Sequence, residues 1–96
     1  MSDPVVQHER DSSKGRYFVS HAVGESELTY SVLSEKLVIA DHTAVAEGHE
    51  GEGIGLLMLK VFVEDARRDG FRITPLCPFV NAQRRKHPEW ADVFAV

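Results

Sequence analysis

Closely spaced glycines are the first feature of the sequence whose residue types and spacing suggest chemistry. Four of the eight residues from Gly48 to Gly55 are glycine, and an apolar run with helical spacing follows them. Glycine lets the backbone take positive φ and approach a ligand without a Cβ in the way. The N–H groups of a helix's first turn lack intrahelical partners and carry partial positive charge, so they can donate to a diphosphate. The segment predicts either a phosphate-binding loop or a simple flexible turn, since a glycine-rich stretch alone is a weak signal.

Cys77 is the second residue that could carry chemistry. It follows a short apolar stretch and precedes Pro78, which can occupy the first turn of a helix. Free N–H groups from Phe79 onward would stabilise a thiolate there and lower its pKa. The sequence leaves two interpretations open: a nucleophile, or a small apolar residue packed in the core, which is the commoner fate of a free cysteine.

Histidines supply the remaining candidate groups. His42 precedes the glycine segment on an apparent strand, where a neutral imidazole could take a proton from an amine or from Cys77. A structural histidine is the alternative interpretation. The spacing of His42, His49, Cys77 and His87 matches none of the paired zinc-ligand patterns, so we expect no metal site.

Four stretches rich in β-branched and aromatic residues precede the glycine segment and predict an antiparallel meander. Turn-forming residues separate them, and they cover residues 5–10, 16–22, 27–33 and 36–46. This meander would place His42 on its last strand, directly before the glycine segment.

A change of period after the glycine segment predicts a buried amphipathic helix over residues 53–69. Ile54, Met58, Phe62 and Ala66 recur at four-residue spacing, and Gly70 is placed to end the helix. A strand over residues 71–76 should follow. Together with strand 36–46, it would form a βαβ unit with parallel strands.

The C-terminal part of the chain predicts a second, shorter helix. It would begin at Pro78 and carry Phe79, Val80 and Ala82 inward, before a last turn through Trp90 and Phe94. The sequence therefore predicts one α+β or α/β domain over residues 1–96, in which a central mixed sheet combines the four-stranded meander with a parallel strand.

Four segments of the chain resemble successive signatures of a small single-domain branch of the GNAT superfamily of acyl-CoA N-acyltransferases. The pyrophosphate motif of that family is Gln or Arg, two residues, Gly, one residue, then Gly or Ala, and it aligns with residues 50–55. The four segments are His42-Thr43-Ala44-Val45, Glu50-Gly51-Glu52-Gly53-Ile54-Gly55, Pro75-Leu76-Cys77-Pro78-Phe79-Val80 and His87-Pro88-Glu89-Trp90.

The resemblance implies a GNAT-like fold that uses acetyl-CoA as co-substrate. It implies that backbone groups of Thr43 and Val45 bind the pantetheine arm, and that Cys77 either becomes acylated or lines the pocket beside the acyl group. With His42 as the candidate base from its position on the strand, and water as the alternative base, Cys77 and His42 are the candidate catalytic residues. The implied cofactor-binding residues are Thr43, Ala44, Val45, Glu50, Gly51, Glu52, Gly53, Ile54, Gly55 and Leu56.

Four positions depart from the family pattern. Glu50 replaces the usual Gln or Arg, Glu52 is also anionic, Ala44 stands where the family usually has Glu, and Gln83 stands where an aromatic residue is expected. Two carboxylates beside a diphosphate would repel it, which predicts weakened CoA binding. The favoured function is transfer of an acetyl group from acetyl-CoA to an unidentified amine. A non-catalytic acyl-CoA-binding or protein-interaction module with the same fold is the alternative.

Charge and composition restrict the partners. The formal charge of −4 argues against non-specific binding to nucleic acid or to an anionic membrane, although residues 84–86 form a short basic run. A lone cysteine cannot form an internal disulfide, and residues 1–10 show no secretory signal, so we expect a cytoplasmic protein. The sequence leaves the acceptor and the oligomeric state open.

Overall fold

Five strands and three helical segments make up the fold. The computed structural model describes residues 4–96, and residues 1–3 of the expected domain lie outside the described range. The strands are β1 (Gln7–Arg10), β2 (Lys14–Ser20), β3 (Glu25–Ser34), β4 (Leu37–Ala44) and β5 (Arg72–Pro75). The helices are α1 (Ile54–Asp69) and α2 (Pro78–Lys86), followed by a 3-10 helix over Pro88–Val93.

The strands form one mixed sheet in the order β1-β2-β3-β4-β5. Neighbours from β1 to β4 pair antiparallel, whereas β4 and β5 pair parallel across the α1 connection. The predicted meander, βαβ unit and mixed sheet are confirmed. Strand β2 begins two residues earlier than predicted, because Asp11 Oδ1 accepts the N–H groups of Ser13 and Lys14 and so completes the turn by Lys14.

Aromatic side chains join α1 to one face of the sheet, called here the inner face. The Phe62 ring centroid lies 5.0 Å from those of Tyr17 and Tyr30, on β2 and β3. The predicted apolar stripe of α1 is buried, and the helix ends where Gly70 N–H donates to Ala66 O over 2.9 Å. No helix among residues 4–96 is long and apolar enough to cross a membrane.

The second helix follows the prediction except at Ala82. Val80 is buried and Phe79 is half-buried, but Ala82 is exposed, so its predicted inward position is wrong. Two residues correspond to about 200° of helical rotation, and therefore Ala82 points away from the side that buries Val80. Trp90 and Phe94 are buried, as expected, and close the core near β5.

The outer face of the sheet carries polar side chains. Arg16 lies at its centre and donates to Glu9, Glu25 and Glu27 over 2.6, 3.0 and 3.1 Å. Its guanidinium carbon also lies 4.1 Å from the centroid of the Phe18 ring. This face is therefore stabilised by charge pairing rather than by an apolar core.

Candidate functional site

The pairing between strands β4 and β5 ends halfway along β4. Their last register pair is Ala40 with Pro75, and Cys77 N–H then donates to Ala40 O over 2.9 Å. Leu76 N–H instead donates to Thr74 O within its own turn. The chain after β5 therefore turns into α2, and β4 continues to Ala44 without β5 beside it.

A β-bulge in β4 lies at the same place. Thr29 pairs with His42 while Tyr30 pairs with Ala40, so Asp41 has no register partner on β3. Such a bulge bends a strand and re-aims the residues that follow it. Beyond this bulge, the edge of β4 no longer pairs with β5 and borders an open space.

Backbone polar groups of β4 face that open space. Ala46 N–H donates to Ser26 Oγ on β3 over 2.9 Å, so this amide points toward β3. Successive residues of an extended chain direct their polar groups to alternate sides. The backbone groups of Thr43 and Val45 therefore point the other way, into the space that β5 leaves.

A cleft of about 350 Å³ occupies this space. Seven of the ten predicted cofactor residues line it, and they are Thr43, Val45, Gly51, Gly53, Ile54, Gly55 and Leu56. The lining does not include the other three, Ala44, Glu50 and Glu52. It adds three residues for which no cofactor role was predicted, namely His49, Phe79 and Gln83. The four-residue spacing of Phe79 and Gln83 on one helix face is a signal that could have identified those two.

The start of α1 provides unpaired donors at this cleft. The first intrahelical bond runs from Leu57 N–H to Gly53 O over 2.9 Å, so the N–H groups of Ile54, Gly55 and Leu56 precede the helical ladder. Gly53 takes φ of 79°, and no side chain caps the helix. An anion can therefore accept hydrogen bonds here, where the helix dipole also favours negative charge.

Gly55 serves a different purpose from the loop glycines. A Cβ built on it would lie 2.9 Å from the Phe79 ring, whereas one built on Gly51 or Gly53 would meet nothing within 4 Å. Gly55 therefore lets α2 pack closely against α1. The sequence suggested ligand approach as the reason for the glycines, and at Gly55 the helix contact is the stronger requirement.

The two glutamates are held by their own loop. Glu50 Oε2 accepts the N–H of Gly48 over 2.9 Å, and Glu52 Oε1 lies 2.9 Å from Nδ1 of His49. Both carboxylates thus have partners within the loop: the partner of Glu50, Gly48, lies outside the cleft lining, whereas the partner of Glu52, His49, belongs to it. The weakening of CoA binding by their charge stays a prediction.

Cys77 lies behind the wall of the cleft. Its side chain is buried, and Sγ lies 3.3 Å from Oγ1 of Thr43, which does line the cleft. Its carbonyl accepts the N–H of Asn81, the first hydrogen bond of α2. The structure brings Cys77 beside the predicted cofactor residue Thr43.

His42 lies on the other side of β4 from Cys77. Thr43 pairs with the buried Leu28 and faces inward, so the preceding His42, paired with Thr29, faces outward and is exposed. The two predicted catalytic residues are therefore not brought together, and a proton transfer from Cys77 to His42 has no direct path. Their catalytic roles stay predictions.

The chain is similar to known proteins over most of its length. A family described as GCN5-related N-acetyl-transferase matches residues 16–93. The solution NMR structure of a GCN5-like candidate N-acetyltransferase from Staphylococcus aureus superposes with a TM-score of 0.71 at 25% identity, covering 93% of this chain and 87% of the other. No curated protein matches the sequence. Because the match to the family covers most of the chain, the protein belongs to the GCN5-related N-acetyltransferases.

Proposed function

We propose that this protein is an N-acetyltransferase that moves the acetyl group of acetyl-CoA to an amine. The observation that carries the proposal is the joint opening of two backbone segments into one cleft: the unpaired start of α1 and the part of β4 that β5 leaves. The first suits a diphosphate, and the second suits an extended chain of amides. Acetyl-CoA carries both groups in one molecule.

The pantetheine arm would lie along β4 as an added strand. Its amides would exchange hydrogen bonds with the backbone of Thr43 and Val45, while the diphosphate accepts from the N–H groups of Ile54 to Leu56. A volume of about 350 Å³ is near the lower limit for ligand pockets. The adenosine end of the cofactor would therefore remain outside the cleft.

Acetyl transfer would proceed directly from the thioester to the amine. The amine nitrogen attacks the carbonyl carbon, a C–N bond forms, and the C–S bond breaks to release CoA as a thiolate. His42 would accept the proton that the amine loses, which requires the amine to approach from the outer face. Buried behind Thr43, Cys77 would shape the wall beside the acetyl group without becoming acylated.

A second function is favoured by the separation of the two predicted catalytic residues. His42 and Cys77 lie on opposite sides of β4, so these two residues do not form a nucleophile–base pair. A domain that binds acyl-CoA without turnover would need neither residue. This alternative predicts saturable binding of acetyl-CoA without acetyl transfer.

Calorimetric titration with acetyl-CoA, followed by an acceptor assay, tests both functions. The acceptor panel would contain polyamines, a lysine-containing peptide and a peptide with a free N-terminus, with CoA release and acetylated product as readouts. His42→Gln should reduce turnover by roughly 100-fold or more if His42 is the base. Binding should be unchanged in that variant, because His42 is exposed on the outer face. Absence of any binding to wild-type protein would refute the proposed site.

A further inference from the structure

One ionisable side chain lines the cleft, and the mechanism above leaves it unused. It belongs to His49, which shares the lining with Gly51 and Gly53 and is 33% exposed. The other side chains of the lining are apolar or uncharged, and the first turn of α1 contains no acidic residue. His49 is therefore the one lining residue that can bring a positive charge to the start of α1.

Hydrogen bonding assigns different tasks to the two ring nitrogens of His49. Nδ1 lies 2.9 Å from Oε1 of Glu52. An ionised carboxylate only accepts hydrogen bonds, so Nδ1 must carry a hydrogen. The second nitrogen, Nε2, is then left to interact with a ligand, and it becomes a donor when the ring is protonated.

A second histidine fixes the plane of this ring. The His21 and His49 ring centroids are 3.8 Å apart, with planes inclined by 17°. His21 Nε2 lies 2.8 Å from Oγ of the fully buried Ser26, whose oxygen also accepts Ala46 N–H. The stack thus ties the loop before α1 to the turn between β2 and β3.

The negative charges near the stacked pair lie on the side of His49. Two imidazolium rings stacked at 3.8 Å would repel each other, so the pair accommodates one charge. The Glu52 carboxylate contacts His49, whereas the partner of His21 is the neutral Ser26 hydroxyl. Glu50 lies in the same loop and adds negative charge, while α2 faces the cleft with the uncharged Phe79 and Gln83.

We propose that protonated His49 is the cation that binds the diphosphate of acetyl-CoA, with Glu52 accepting the Nδ1 hydrogen bond and His21 stacked on the ring. The inference rests on the proposed acetyl-CoA site and identifies the residue that offsets its two glutamates. Glu52 then supports cofactor binding through His49 instead of only opposing it. Affinity for the diphosphate should rise as the pH falls from about 8 to about 6, where histidine gains charge.

Titration with two truncated ligands isolates the diphosphate. Dephospho-CoA retains it but lacks the 3′-phosphate, whose own titration would confuse the pH dependence; S-acetylpantetheine lacks both. Wild-type protein should bind dephospho-CoA about tenfold more tightly at pH about 6 than at pH about 8, as expected for one hydrogen bond to a charged group. Binding of S-acetylpantetheine should not depend on pH.

His49→Gln is the decisive variant, and His87→Gln is its matched control. His87 also places Nδ1 near a carboxylate, 3.0 Å from Glu89, and stacks on an aromatic ring, 4.0 Å from Trp90, but it does not line the cleft. His49→Gln should bind dephospho-CoA about tenfold more weakly at pH about 6 and lose the pH dependence. His87→Gln should behave as the wild type.

Glu52→Gln decides whether the carboxylate supports the charged ring of His49 or only repels the ligand. Support through His49 predicts that Glu52→Gln binds dephospho-CoA more weakly at pH about 6, whereas pure repulsion predicts tighter binding at every pH. The inference is overturned if His49→Gln matches the wild type at both pH values, or if Glu52→Gln shows pure repulsion. If wild-type protein binds none of the ligands, including acetyl-CoA, the proposed function itself fails.

Discussion

The two ends of α1 have opposite characters. At the start, the backbone is open: Gly53 has positive φ, no side chain caps the helix, and the first N–H groups face a cleft. The other half is closed, with Phe62 fully buried and Tyr17 OH donating to Asp65 over 2.7 Å. One continuous helix therefore joins a start with unpaired backbone donors to a half whose inner side chains pack against the sheet.

Because of this difference, we expect the closed half of α1 to contribute mainly to the stability of the fold and its start to contribute mainly to ligand binding. Burial of aromatic side chains stabilises the fold in proportion to the area removed from water, and it belongs to the closed half. Unpaired N–H groups contribute little to folding but can bind an anion. We therefore expect substitutions in the closed half to change the free energy of unfolding, and substitutions at the start to change ligand affinity.

Phe62→Ala should have the largest effect of all. Removing a fully buried phenylalanine from between Tyr17 and Tyr30 should lower the free energy of unfolding by roughly 3–5 kcal/mol, which urea denaturation would measure. Phe62→Leu, with a smaller loss, keeps the test usable if the alanine variant does not fold. Lys60→Ala, an exposed change on the same helix, should cost little. A decrease of less than about 1 kcal/mol in the free energy of unfolding of Phe62→Ala would contradict the expected difference between the two halves of α1.

Gly53→Val should have the next largest effect, on binding. Both Gly53 and Gly48 have positive φ, 79° and 88°, so valine at either position strains the backbone by roughly 1–2 kcal/mol. Only Gly53 lines the cleft. Calorimetry should show that Gly53→Val lowers acetyl-CoA affinity about tenfold or more, which is about 1.4 kcal/mol, while Gly48→Val does not. Equal losses would mean that loop strain, not the cleft, controls binding.

Substitution of Cys77 tests whether the start of α2, unlike the start of α1, is dispensable for acetyl transfer. Cys77 is buried at this helix start and contacts Thr43, so Cys77→Ser and Cys77→Ala should retain turnover within about tenfold of the wild type. Intact-protein mass spectrometry should find no acetyl adduct on wild-type Cys77. A turnover loss of about a thousandfold together with an adduct would instead identify an acyl-cysteine.

His8 should produce the smallest effect, at the closed half of α1. Its ring stacks on Tyr17 at 4.3 Å, and partial burial lowers the pKa of His8 below 6.5. The unfolded chain then binds the proton more readily than the folded one, so this contribution to stability is present above pH 6.5 and is lost as the pH falls toward the folded pKa. Thermal unfolding from pH 7 to 5 should therefore show a steeper decline for wild type than for His8→Gln. Parallel declines would exclude His8 as the cause.

Periodicity made much of the fold predictable. The period-two stretches and the four-residue spacing of Ile54, Met58, Phe62 and Ala66 correspond to the observed meander and helix. These signals are local, because each element must present apolar residues to a common core. Ala82 was misplaced because a helix of nine residues carries too few positions to define its buried side.

Only part of the arrangement of the loop before α1 was predictable from the sequence. Its glycines and the following helix predicted an anion-binding start, and Gly51 and Gly53 do line the cleft. The partners of the two glutamates were hidden, because the hydrogen bonds that hold them depend on how the loop closes. No local sequence signal indicates the position of His49 in the cleft, because its stacking on His21 joins residues 28 positions apart.

The sequence by itself determined which segments are strands and helices, their order, and the family to which the chain belongs. Only the tertiary structure decided which side chains meet. The bulge at Asp41 sets the side of β4 on which each later residue lies, placing Thr43 beside Cys77 and His42 on the outer face. A one-residue change of register reverses every side chain beyond it, and strand pairing decides that register through contacts distant in sequence.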